Sequence, residues 1–184
     1  MSSDRLRKWI LTGFLLLAVF LLETSLLPWL IPPEWRNGWS VYPRLVFACT
    51  VYISLLGNRY AGGGFALAAG LLQDVAFYGH MIGVNAFAYA MSAYAAGLVP
   101  KPKTVRAAFV LPVLLASLLA CEIVTYALYR LFRLANEDFG WTFVNGMLPS
   151  TLTVFLAASA LYIPARRWLE PPRSEQEKRK GPKE

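Results

Sequence analysis

The sequence predicts an all-α integral membrane protein with about six transmembrane helices. Three observations carry that expectation. Of 184 residues, 57% are apolar and only 16% are charged, against roughly 25% charged in an average soluble domain. The charges gather in short blocks between long apolar runs, which is how a membrane chain separates spans from loops. Within the apolar runs, small residues recur at intervals of four, the spacing that lets membrane helices approach closely. A net charge of +7 sits mostly in loops and tails, so it points to topology and anionic lipid rather than nucleic acid.

The first span runs from Trp9 to Ile31, behind the basic start Arg5, Arg7 and Lys8. It is too long for the apolar core of a signal peptide and no small-x-small site closes it, so a retained span is expected. Glu23, Thr24 and Ser25 lie toward its far end, before Pro28 and the stop at Pro32 and Pro33. Trp29, Trp35 and Trp39 flank the following loop, where amphipathic rings favour the interface. The second span covers Val41 to Leu56, with Pro43 and Arg44 at its start, and turns at Gly57, Asn58, Arg59 and Tyr60.

The third span, about Ala61 to Tyr78, opens with Gly62, Gly63 and Gly64. On a helix, Gly62, Ala66, Gly70 and Asp74 share one face. Three small residues invite a close neighbour there, and the same face presents a carboxylate that is costly in lipid unless partnered. Gln73 stands beside it. The fourth span, Ile82 to Val99, carries Ala86 with Ala90, Ala88 with Ser92 and Ala96, and Ala93 with Gly97. It is expected to pack closely on the third. After a basic loop around Lys101, Lys103 and Arg106, the fifth span runs from Ala107 to about Arg130, with Pro112 in its first turns and Glu122 well inside. The sixth runs from about Phe143 to Tyr162, with a kink expected at Pro149. The boundaries give one membrane domain over residues 1–170 and a charged, disordered tail over 171–184.

With the N-terminus cytoplasmic, only Arg36, Arg44, Arg130 and Arg133 of the eighteen lysines and arginines fall outside. That asymmetry predicts six spans with both termini cytoplasmic. It also puts Glu23, Asp74 and Glu122 past the middle of their spans, at one level with Arg44, Gln73 and Asn85. At 1.5 Å per residue, Glu23 and Asp74 each lie about 20 Å along their helices. Two arrangements fit this polar layer. The groups pair across helices, with Arg44 and Asp74 as the first pair, or Glu23 and Arg44 reach the interface separately.

No chemistry emerges from motifs. Cys49 and Cys121 lie in apolar runs without a CxxC or a Cys/His cluster, and read as two thiols. His80 falls in a loop. The glycine triplet lacks the GxxxxGK[ST] pattern of a phosphate loop. No catalytic, metal or cofactor site is expected.

The segments Glu23-Thr24-Ser25-Leu26-Leu27-Pro28, Tyr42-Pro43-Arg44-Leu45 and above all Gly70-Leu71-Leu72-Gln73-Asp74 resemble the MreD family of rod shape-determining membrane proteins. Gly83-Val84-Asn85-Ala86-Phe87-Ala88-Tyr89 and Tyr94-Ala95-Ala96-Gly97 are similar to it as well. Where such proteins often carry an acid after the second-span proline, this chain has Arg44. The resemblance implies a non-enzymatic scaffold of the cell-elongation machinery in the bacterial cytoplasmic membrane, serving side-wall peptidoglycan synthesis. It implies direct binding of MreC and indirect links to MreB, RodA and its penicillin-binding transpeptidase, with a homo-oligomer open. It further implies a bundle similar to the substrate-binding subunits of energy-coupling-factor vitamin transporters. Such a transport subunit is the alternative function, although the first span offers only Ala18 where several of those proteins carry an Ala-x-x-x-Ala docking pair.

Overall fold

A computed structural model describes residues 3–30, 44–76, 81–100, 107–133 and 138–169. All regular structure among them is helical. The elements are α1 (Ser3–Leu30), α2 (Leu45–Leu56), α3 (Arg59–Ala76), α4 (Val84–Leu98), α5 (Ala107–Leu131), a short α6 (Phe139–Thr142), a π-helical turn (Phe143–Met147) and α7 (Leu148–Leu169). The last three form one rod, so among the described residues six rods stand where six spans are expected. The loop tryptophans Trp35 and Trp39, His80, the loop from Lys101 to Arg106, and the tail 171–184 lie outside the described residues.

The bundle is assembled around α2. Nine of its twelve residues are buried, on every side of the helix, as expected of a helix that is apolar all round. Phe47, Val51, Tyr52 and Leu55 pack into a core shared with α4, α5 and α7. Tyr52 reaches furthest, its hydroxyl donating to the Ala158 carbonyl at 2.7 Å. The Phe47 ring meets Tyr89 with centroids 4.8 Å apart.

The most extensive helix contact is α3 on α4. Its closeness depends on glycine. A Cβ on Gly70 would stand 2.5 Å from Ala86 Cα and 2.7 Å from both Ala86 N and Asn85 O, all backbone atoms. A Cβ on Gly62 would meet Ser54 of α2 at 2.5 Å. The stripe expected from the sequence is therefore buried, but it serves two neighbours: Gly62 seats α2 and Gly70 seats α4. Ser54 ties those two together, donating to the Ala93 carbonyl at 2.6 Å.

The exterior is the reverse of a soluble protein. On α1 the inward stripe is Thr12, Leu16, Phe20 and Glu23, while Phe14, Leu15, Leu17, Leu21 and Leu22 face outward. Asp74, Thr50, Ser54 and Ser92 are likewise buried, with Leu67, Val75, Phe87, Val144 and Leu156 exposed. Apolar exposure on this scale marks contact with lipid or protein rather than water. Among the described residues, Ala107–Leu131 and Phe139–Ala160 are long and apolar enough to cross a membrane. Trp9–Ser25 and Leu45–Leu56 are shorter apolar stretches.

The sixth rod is irregular next to Pro149. A π turn, Phe143–Met147, stands just before it. Proline has no N–H for the carbonyl four residues back, and its ring clashes there. The ladder adjusts by one residue, so that the Leu148 amide bonds to the Phe143 carbonyl, five positions earlier.

Candidate functional site

Each buried acid has found a distinct partner. Asp74, 1% exposed, lies in the last turn of α3, directly beside the start of α4. Its Oδ2 accepts from the Gly83 amide at 2.7 Å and the Ala86 amide at 3.3 Å. Its Oδ1 accepts from the Asn85 side-chain amide at 2.8 Å and the Asn85 backbone at 3.3 Å. The first amides of any helix lack intrahelical acceptors and carry the positive end of its dipole. One carboxylate from the preceding helix thus fills both needs. Gly83 presents its amide by adopting φ +104°, a left-handed conformation that glycine takes without strain.

Glu23 does the same for α2. Its Oε2 accepts from the Val46 amide at 2.9 Å, in the first turn of that helix. The two acids therefore act as N-caps delivered across a helix pair, α1 to α2 and α3 to α4. Thr24, next to Glu23, turns its hydroxyl back onto the Phe20 carbonyl.

Arg44 pairs with Glu122, not with Asp74 as the sequence suggested. Arg44 Nη1 lies 3.6 Å from Glu122 Oε1 and 3.8 Å from Cys121 Sγ. The guanidinium also sits over the Tyr89 ring, 5.8 Å from its centroid. The reason is geometric. Asp74 is saturated by four donors from the α4 terminus, whereas Glu122 on α5 faces the start of α2. Tyr89 donates to Gln73 Oε1 at 2.8 Å, and Gln73 stands beside Glu23. Glu23, Gln73, Tyr89, Arg44 and Glu122 thus form one buried polar layer joining α1 to α5.

Of the positions singled out in the sequence, Gly62, Ala66, Gly70, Gln73 and Asp74 are all buried on α3, and Asn85 binds Asp74. Tyr89 and the Cys121 thiol were not anticipated as members of the layer. Tyr89 follows Asn85 by one helical turn, which puts it on the same face of α4 and was the available signal. Cys49 and Cys121 are free thiols. At the other end of the bundle, Arg59 Nη2 lies 3.2 Å from the Tyr60 hydroxyl and holds that phenol below its ordinary pKa.

Beside the layer is a cavity of about 220 Å³, lined by Arg44, Glu122, Tyr129 and Ser150 together with Met147 and Gly146 of the π turn. It was not visible in the sequence, because its walls come from three separate helices and an irregular turn.

Chemically, the arrangement is suited to holding helices in register. Among the described residues no group of three or more His, Cys, Asp or Glu is placed to hold a metal ion.

A family model described as rod shape-determining protein MreD matches residues 5–170, nearly the whole chain. No curated protein matches the chain, and no solved structure does.

Proposed function

The chain belongs to the MreD family, and on that premise we propose that it is a non-enzymatic membrane scaffold of the bacterial cell-elongation machinery. Its family places it in rod-shape determination. In this proposal the six rods are six spans in the cytoplasmic membrane, with both termini in the cytoplasm, arranged in a bundle similar to energy-coupling-factor substrate subunits. The scaffold holds the single span of MreC directly. Through that contact it helps position RodA, its penicillin-binding transpeptidase and the MreB filament for side-wall peptidoglycan synthesis.

The observation that carries the scaffold reading is where the buried acids are spent. Asp74 and Glu23 cap helices, and Glu122 pairs with Arg44. Polar residues in spans often mark transport routes; here each of the three also ties its helix to a neighbouring one. A rigid bundle with an apolar exterior is what a partner helix can pack against, since membrane helices associate through close packing rather than water exclusion.

The test is co-purification of the tagged chain from its native membrane in gentle detergent. Recovery of MreC is the expected result. Recovery of a transporter's membrane subunit with two ATPases would overturn the scaffold reading in favour of a transport subunit.

A further inference from the structure

The Arg44–Glu122 cavity brings two opposite charges to one pocket wall. Both charged side chains are largely buried, 13% and 15% exposed. Their separation of 3.6 Å exceeds the 2.7–2.9 Å of a direct charge-assisted hydrogen bond. Among the described residues, the only Arg44 nitrogen engaged in a hydrogen bond or ion pair is Nη1, and the only engaged Glu122 oxygen is Oε1. Arginine has five donors in a fixed fork, and a carboxylate has two oxygens. The pair therefore keeps unspent donors and an unspent acceptor on two side chains that both line the cavity.

The rest of the lining completes the description. Tyr129, Thr125 and Ser150 add hydroxyl-bearing side chains and Met147 an apolar wall. The π turn supplies Gly146, and π turns recur at functional sites because they displace side chains from the helical register. Glu122 to Tyr129 spans two turns of α5, about 10 Å, and ends two residues from the helix terminus at Leu131. The cavity thus reaches from that end of the bundle down to the charged pair. Its volume of about 220 Å³ is below the roughly 300–1,000 Å³ of drug-sized sites, which suits a headgroup rather than a large cofactor.

Charge decides the ligand class. A lone anion on Arg44 would face Glu122 within a few ångström, and a lone cation on Glu122 would face Arg44. A group bearing both charges satisfies both residues and leaves the site neutral. We propose that the Arg44–Glu122 cavity binds a zwitterionic group, an ammonium and an anionic oxygen a few bonds apart, with the anion on Arg44 and the ammonium on Glu122. The lipid route to it rests on the membrane reading above; the charge complementarity does not.

The probes are phosphatidylethanolamine, which carries such a group on a lipid, and free phosphoethanolamine, which carries it in solution. The purified full-length chain in detergent is titrated with each, and with phosphatidylglycerol as an anion-only control, while lipid adducts are counted by native mass spectrometry and Tm is followed. A phosphoethanolamine-bearing probe is expected to bind at least tenfold tighter than phosphatidylglycerol. Binding of the lipid alone identifies a membrane ligand; binding of the free headgroup as well identifies a soluble one. Equal or tighter phosphatidylglycerol binding, or no binding of either zwitterion, overturns the proposal. Gly146→Leu supplies the blocking variant. A Cβ at Gly146 meets nothing closer than Thr142 Cγ2 at 4.0 Å, and Gly146 lines the cavity, so a larger side chain there is expected to fill it. It is expected to fold and lose zwitterion binding; undiminished binding would place the ligand elsewhere and sink the assignment. MreC co-purification reads the scaffold role separately, so either idea can fail alone.

Discussion

Gly70 and Gly64 sit on one helix and offer a controlled contrast. The same change, glycine to alanine, is expected to have opposite effects. At Gly64 an added Cβ meets nothing within 4 Å, so the variant gains helix propensity, about 1 kcal/mol at most. At Gly70 the Cβ would come 2.5–2.7 Å from Ala86 Cα, Ala86 N and Asn85 O. All three are backbone atoms, so α4 itself must move away. Overpacking costs about 1–3 kcal/mol, and contact with backbone on three sides argues for the upper end. Subtracting the propensity gain leaves Gly70→Ala destabilised by about 2 kcal/mol. For a chain of this size that is a Tm loss of about 4–8 °C, at roughly 2–4 °C per kcal/mol. The assay is thermal unfolding of both variants beside the parent in one detergent. Gly64→Ala is expected at or above the parent. A Gly70→Ala Tm equal to or above that of Gly64→Ala would refute the close α3–α4 approach.

The polar layer gives three further expectations. Asp74→Ala removes the acceptor for the Gly83 amide and the Asn85 side chain. At about 1–3 kcal/mol per buried group left unsatisfied, it is expected to lose at least 3 kcal/mol in thermal or denaturant unfolding, whereas Asp74→Asn keeps one acceptor oxygen and folds with a smaller loss. Glu23→Ala uncovers the Val46 amide and is expected to cost about 1–2 kcal/mol, the usual value of a lost cap; Glu23→Gln should recover much of it, and equal losses in the two variants would speak against capping. In a double-mutant cycle, Arg44→Gln with Glu122→Gln is expected to show coupling of about 1–2 kcal/mol, within the range for contacting residues, and more than Arg44→Gln with Asp74→Asn; the reverse order would restore the pairing first expected from the sequence.

Much of this architecture could be read from residue order, for identifiable reasons. The four-residue spacing of Gly62, Ala66, Gly70 and Asp74 fixes a helix face whatever it packs against, so its burial was legible. The depth of Glu23, Asp74 and Glu122 follows from counting residues along the spans. Which acid meets which partner was not legible, because ion-pair arguments consider only side chains. Asp74 and Glu23 instead bind backbone amides at helix starts, donors that every sequence contains and no motif announces. That left Arg44 to Glu122, across a gap of 78 positions in the chain. Pro149 signalled an irregularity in the last rod, but its form, a π turn that includes Gly146, is set by the hydrogen-bond ladder. The cavity has the same origin: its walls are brought together only by packing.

Rod shape is expected to depend on the integrity of this bundle. The most direct measurement is cell width and length by microscopy in the organism that encodes the chain, with the protein depleted and then supplied as wild type or as Asp74→Ala. Rods are expected to widen and round up on depletion, to recover with the wild type, and to recover poorly with Asp74→Ala. Cells that remain rods throughout depletion would contradict the account.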